Sequence, residues 1–301
     1  MYDKASISFV VLHYNTYQET INCVNSILHN VHPENVNVVI VDNCSPNGSG
    51  DIIRDTFIDE KRVYFIPLNQ NTGFAVGNNA GINFARTELK SDFVCCINND
   101  TLVEQNDFFS RIIDIYLETN AAVIGPKVYL KDNSYQLFNT KLETVSFYRK
   151  KLSDYKKSVF LLNLKYIYSK LGINISKNKN NLSNKKSKVD SKDSSFFETE
   201  HTNVVLHGCC LIFTPVFFEH FSGFSPDTFL YREEEILYID ISSVGLNNIY
   251  SPKIYIKHLE DAATNSLFDN NYKKLIFVTK NKIKSTRVLI QHMNSMNQTD
   301  S

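Results

Sequence analysis

The stretch FVCCINNDTLVE, Phe93 to Glu104, is an apolar run that stops abruptly at Asn98, Asn99 and Asp100. A short apolar run with small and β-branched residues reads as a buried strand, and its polar terminus reads either as a turn or as a ligand-facing strand end. Working outward, the same kind of run recurs at ISFVVLHY, VNVVIV, RVYFIP and AAVIGP, each separated by a helical pattern. TYQETINCVNSILHN carries Ile21, Val24, Ile27 and Leu28 on one stripe, with Thr16 and Glu19 spaced as a capping box. Strands of this apolar kind that alternate with helices predict an α/β fold with a mostly parallel central sheet covered on both faces. In such sheets ligands bind beyond the carboxyl ends of the strands, where Asp100 stands.

Lysine plus arginine balance aspartate plus glutamate at 32 each, so the chain as a whole carries no signature of nucleic-acid binding. The opening MYDKASISFVVLHYN lacks the layout of a secretion signal, and no segment supplies the roughly 20 continuous apolar residues of a membrane span. The expected location is therefore the cytoplasm. Cys23, Cys44, Cys95, Cys96, Cys209 and Cys210 show no CxxC spacing and are expected as reduced packing residues.

Polar residues gather at several strand ends: His13, Tyr14 and Asn15 after the first, Asp42 and Asn43 after the second, Asn98 to Asp100 after the fourth. The loop NQNTGFAVGNNAG, Asn69 to Gly81, holds Asn71, Gly73 and Asn78 at the start of a helix, where free N–H groups would suit an anion. It is neither a Walker loop nor GxGxxG, which removes most support for a dinucleotide-dependent dehydrogenase. In FLYREEEILYIDISSVG, Leu230, Leu237, Ile241 and Val244 share a stripe with Glu233 and Glu234, while Glu235 falls to one side. Burial and mutual repulsion would raise the proton affinity of such carboxylates, a useful property in a general base. His258 closes the strand pattern KIYIKH, the second of a final strand pair with NIYS. KKLSDYKKSVFLLNLKYIYSKLG is a basic amphipathic helix pattern, NISKNKNNLSNKKSKVDSKDSS reads as a mobile loop, and Tyr272 to Met293 is a helix without acids.

Taken in order, VVLHYN, VIVDNCSPNGS, NQNTGFAVGNNAGINFA, CINNDT, HGCCLIFTP, GFSPDTFLYREEEIL and HLEDAAT resemble a family 2 glycosyltransferase of the GT-A fold, of the bacterial rhamnosyltransferase-like, polysaccharide-building type, over about Ser6 to Thr264. The resemblance implies a nucleotide-sugar half over 1–130, a basic insertion over 131–200, an acceptor-side half over 201–265 and a helical tail over 266–301. It implies that Asp42 contacts the nucleobase and that Asn15 lies near the nucleotide, with Asn43, Asn71, Gly73, Asn78, Asn98 and Asn99 lining the donor side. Asp100 and His258 would bind Mn²⁺ or Mg²⁺, with Asn98 where the family usually has its first aspartate. Glu234 falls at the position of the acidic base with Glu233 before it; the sequence EEEIL departs from the commoner EDxDL, which leaves the choice among Glu233, Glu234 and Glu235 open.

The implied reaction is transfer, with inversion, of a sugar from a UDP- or dTDP-linked donor to a hydroxyl of a glycan acceptor, polyprenyl-diphosphate-linked in the family's setting. The asparagines of NND and the altered glutamate motif also admit a non-catalytic partner subunit of an assembly complex. A sugar-1-phosphate nucleotidyltransferase lacks its Gly-rich basic loop here. The lysine-rich helices could rest on an anionic membrane surface or join two copies as a homodimer, against the alternative of a solvated face.

Overall fold

The computed structural model describes residues 5–31, 35–136, 140–171, 194–259 and 271–299, with side chains to 295. Most of the expected mobile loop, 174–195, and most of the motif after His258 lie outside them; Ser194 and Ser195, at its end, open a short 3-10 helix, Ser194–Glu198. The first half builds β1 (Ile7–His13), α1 (Tyr17–Asn30), β2 (Val36–Asp42), α2 (Ser49–Thr56), β3 (Val63–Pro67), α3 (Gly73–Thr87) and β4 (Phe93–Asn98). After β5 (Thr101–Leu102) come α4 (Phe108–Thr119), β6 (Val123–Leu130) and α5 (Val145–Lys170). The remainder is β7 (His201–Thr202), β8 (Cys210–Phe213), α6 (Pro215–Phe218), α7 (Glu233–Ser243), β9 (Asn248–His258) and a last helix, α8 (Asn271–Thr299).

These strands form one mixed sheet in the order β3-β2-β1-β4-β8-β6-β9-β5, with β7 along β9. β3, β2, β1 and β4 are parallel, as expected of runs buried on both faces. The mostly parallel character continues in β6 and β9, and the longer exception is β8, which lies antiparallel between β4 and β6. β8 enters from the opposite end, so His207 and Gly208, which precede it, sit beside the polar terminus of β4; Asn98 N–H donates to the Cys209 carbonyl at 2.8 Å. The short β5 was not foreseen, and it matters because it pairs Thr101 with His258, placing the end of β9 next to Asp100.

Three local expectations are corrected. Thr16 caps α1 by position only; its hydroxyl makes no capping bond and instead accepts from the Asn99 amide at 2.7 Å. The expected final strand pair is a single strand, β9, whose register against β6 shifts between Pro126 and Lys127. Pro252, lacking an N–H, falls in the skipped segment, where a bulge absorbs it. Cys44 is exposed, unlike the other cysteines, which are free and buried.

The main core fills both faces of the sheet with Val, Ile and Phe side chains, including Phe9, Phe93, Phe108 and Phe213. A second, smaller core joins Tyr148 of α5, Ile236 and Ile239 of α7, and Leu289 and Ile290 of α8. The two basic helices therefore pack on each other and on α7 rather than standing alone. Among the described residues no helix is long and apolar enough to cross a membrane.

Candidate active site

Strand pairing brings three distant segments to one end of the sheet. Asp100, just past β4, is 6 % exposed, and its Oδ1 lies 3.2 Å from His258 Nε2. Its backbone carbonyl accepts from Leu259 N–H at 2.8 Å, so the two chain segments are locked together. His258 Nδ1 meets the Gln136 amide oxygen at 2.7 Å. With that oxygen accepting, the ring hydrogen sits on Nδ1, and Nε2 turns its lone pair toward the carboxylate. Two acceptors in contact need a proton or a cation between them, and an imidazole oriented by a carbonyl oxygen on its far nitrogen is the usual arrangement of a metal-binding histidine. The pair thus fits a divalent cation that takes its other ligands from phosphates and water. Among the described residues no group of three or more His, Cys, Asp or Glu side chains forms a complete cage.

His207 faces this pair, its ring centroid 6.1 Å from that of His258. Burial, with His258 nearby, lowers its pKa to about 4, so it is neutral at physiological pH. The next residue, Gly208, has no side chain, and Glu234 fills that space: a Cβ on Gly208 would sit 2.9 Å from the Glu234 carboxyl carbon. His207 and Gly208 thus stand between the Asp100–His258 pair and Glu234. At Glu234 lies a cavity of about 300 Å³, lined by Tyr155, Tyr231, Arg232, Glu235 and Lys282 among others.

The glutamates divide as their surroundings dictate. α7 begins at Glu233, so Leu230 lies before the helix, and the expected stripe survives only as buried Leu237 and Ile241, with Val244 exposed. Glu233 is buried with Oε1 unpartnered, and Glu235, expected at the side, is buried and ion-paired with Arg232. Glu234 and Glu235 both line the cavity, and Glu235 is the one engaged by Arg232. Burial first, then repulsion from Glu235 and Glu233, raises the pKa of Glu234 to about 8; burial raises that of Glu233 to about 7. Tyr231 and Arg232 precede the helix at φ 75° and 77°, a left-handed pair that turns both side chains into the cavity wall.

On the opposite side, β1 and β2 end side by side, His13 registered with Asp42. His13 is held by Thr20 and Ser49 hydroxyls at 2.8 Å each, and burial lowers its pKa to about 4. Asp42 accepts from the Ser45 N–H at 3.1 Å and hydroxyl at 2.6 Å, which fixes the turn after β2. Asn15, at φ 65°, keeps a buried side-chain oxygen with no hydrogen-bond partner, the one donor-side candidate so exposed to a ligand's demand among those described.

Several expected donor contacts are engaged within the protein. Asn43 accepts from Thr72 N–H at 2.8 Å and donates to the Gly73 carbonyl at 3.1 Å. Asn71 accepts from Gly73 N–H at 3.0 Å, and Phe74 N–H donates to the Phe229 carbonyl at 2.8 Å. The start of α3 therefore offers no free N–H groups at these residues, contrary to the anion-binding expectation. Gly73 is required there by φ 80° and by the Phe229 backbone pressed against it. Asn78 is buried inside α3, donating to the Phe74 carbonyl at 2.9 Å. Asn99 donates to the Thr16 and Thr20 hydroxyls at 2.7 and 2.9 Å, and Asn98 is half-buried at the strand end beside Cys209. His207, Gln136 and Lys282 were not among the expected site residues; the HG step before the Cys209–Cys210 strand was the available signal for the first.

A family model, glycosyl transferase family 2, matches residues 8–179, more than half of the chain. The glycosyltransferase GlyG of Streptococcus pneumoniae serotype 4 is 28 % identical over 128 residues, covering 42 % of this chain and 40 % of GlyG. The dTDP-rhamnosyl transferase RfbF of Shigella flexneri is 26 % identical over 128 residues, covering 42 % of this chain and 41 % of RfbF. The similarity thus spans about two-fifths of these relatives. Among solved structures, TarS 1-349 of S. aureus in complex with UDP superposes with a TM-score of 0.52 at 14 % identity, covering 91 % of this chain and 65 % of that one. The mixed sheet flanked by helices is a GT-A fold, shared with the TarS structures. With the matched segment carrying β1 through α5, this chain belongs to glycosyl transferase family 2.

Proposed function

We propose that the protein transfers a sugar, with inversion, from a nucleoside diphosphate donor to a hydroxyl of a glycan acceptor in bacterial surface polysaccharide synthesis. The observation that carries this reading is the meeting of the Asp100–His258 pair and Glu234 across the His207–Gly208 step. Asp100 and His258 would hold Mn²⁺ or Mg²⁺. Such a cation, when bound, supplies positive charge against a departing diphosphate. Glu234, half-buried at the cavity, accepts the proton that the attacking hydroxyl must lose, and its raised pKa gives its ionised form a high proton affinity. Asp42 would contact the nucleobase of the donor and Asn15 would lie near the nucleotide, where its unpartnered side-chain oxygen could accept a hydrogen bond.

TarS structures with UDP and UDP-GlcNAc, and a relative named for dTDP-rhamnose transfer, support a UDP- or dTDP-linked sugar as the donor. A polyprenyl-diphosphate-linked acceptor would bring the enzyme to the cytoplasmic membrane face. The outer end of α5 suits that surface: Phe160, Leu161 and Ile167 are exposed there, interleaved with exposed Lys156, Lys157, Lys165 and Lys170. A screen of UDP- and dTDP-sugars for released nucleoside diphosphate, with Mn²⁺ or Mg²⁺ and without, tests the central reading. Metal-dependent release from at least one donor is expected; nucleotide binding that ignores the metal, with no release from any donor, would replace the reading with that of a non-catalytic partner subunit.

A further inference from the structure

Among the described lysines of α8, Lys282 turns inward. Its neighbours Lys280 and Lys284 on α8 are exposed, whereas Lys282 lines the cavity beside Glu234, its Nζ 5.1 Å from the centre of the Tyr231 ring. Among the described residues it has no carboxylate partner. Arg232, the other cation of the wall, is neutralised by Glu235, lies 5.1 Å over the Tyr148 ring and reaches the Tyr155 hydroxyl at 3.4 Å, although its buried Nε has no acceptor. Burial first, then Arg232 and Lys151, push the Lys282 pKa below the ordinary lysine range. A cation kept partly dry beside other cations, with no anion in contact, costs free energy. A lysine that only covered Tyr231 with its stem would extend its ammonium to solvent, as Lys280 and Lys284 do.

We propose that Lys282, with Arg232 behind it, is the subsite for an anionic oxygen group on the acceptor, a phosphoryl or a carboxylate a short distance from the hydroxyl that Glu234 deprotonates. This rests on the reading of Glu234 as the base. His207, Glu234 and Lys282 line the same cavity, so a ligand with its hydroxyl at Glu234 shares that space with the ammonium. A neutral sugar would be served by amides and hydroxyls and would leave the ammonium unanswered. An anion answers it, and brings the acceptor into one register relative to the base. Lys282 and Arg232 are thereby residues that determine which acceptors are used.

The test titrates the full chain with glycerol 3-phosphate and with glucuronate, against glycerol and glucose as uncharged counterparts, by two-dimensional NMR. At least one anion is expected to bind more tightly than its counterpart, to lose tenfold or more in affinity in Lys282→Gln, and to bind Lys282→Arg and the exposed-control variant Lys284→Gln within threefold of the parent. Which anion binds distinguishes a phosphoryl from a carboxylate source. Equal binding of charged and uncharged probes, or an unchanged affinity in Lys282→Gln, overturns the proposal. UDP titrated into the same sample reports the donor side separately: UDP binding without anion preference sinks this inference alone, whereas anion preference without UDP binding leaves it standing and removes the donor reading.

Discussion

Glu234 is the residue on which the chemistry turns, and its neighbours make its titration measurable. Its pKa near 8 exceeds the ordinary value of 4.5, so below pH 8 the carboxyl is largely protonated and unable to act as a base. Donor turnover is therefore predicted to rise between pH 6 and 8.5. Stability should move the other way: a raised folded-state pKa contributes stability that is complete below about 4.5 and is lost as pH climbs through about 8. Melting temperatures from pH 5 to 9 check this, and Glu234→Gln should flatten the decline relative to the parent. Gly208→Ala should displace the Glu234 carboxyl, which lies where the new Cβ would go, and lower turnover at least tenfold, with circular dichroism unchanged. At this scale Asp100, His258 and Glu234 were named by their place in the family's motifs rather than by local chemistry, since an acid or a histidine at a strand or helix end commonly serves a turn or a cap. Asn43, Asn71, Asn78 and Asn99 were not separable from ligand contacts in advance, since an amide that closes a turn and one that binds a nucleotide look alike until its partners are known.

The elements themselves were mostly readable, and the errors are instructive. Apolar runs and helical stripes located β1 to β4, α1, α4, α5, α7 and α8 because burial on two faces leaves a strong pattern. Direction was harder: β8 is as apolar as its parallel neighbours, and only its placement between β4 and β6 reveals that it runs the other way. Thr16 and Glu19 had capping-box spacing, but the Thr16 hydroxyl serves Asn99 instead, a contact across 83 positions that no local rule contains. That contact carries a prediction. Asn99→Ala removes both bonds from the amide to α1, leaving the Thr16 and Thr20 hydroxyls without that donor, and should cost about 1–3 kcal/mol in urea unfolding. An unchanged midpoint would mean that α1 is not tied to β4 through this residue.

Across the whole molecule, the sheet orders segments so that β5 brings the end of β9 beside Asp100 and β8 brings Gly208 beside the end of β4, where Glu234 of α7 packs against it. α7 is held in turn by α5 and α8 through the small core of Tyr148, Ile236, Ile239, Leu289 and Ile290. Leu289→Ala should therefore cost about 2–5 kcal/mol and also weaken turnover, because α7 carries Glu234. Loss of stability without any change in turnover would show that the helical layer does not position the base. The convergence of Asp100, His258 and Glu234 on one crevice is the claim from which the rest follows. The most direct test is the rate of nucleoside diphosphate release from the cognate donor by the parent, Asp100→Asn and Glu234→Gln under saturating Mn²⁺. Both substitutions should lower the rate by about 10²-fold or more while leaving the fold intact; release within threefold of the parent by either variant would contradict the assignment of that residue and the single-crevice mechanism with it.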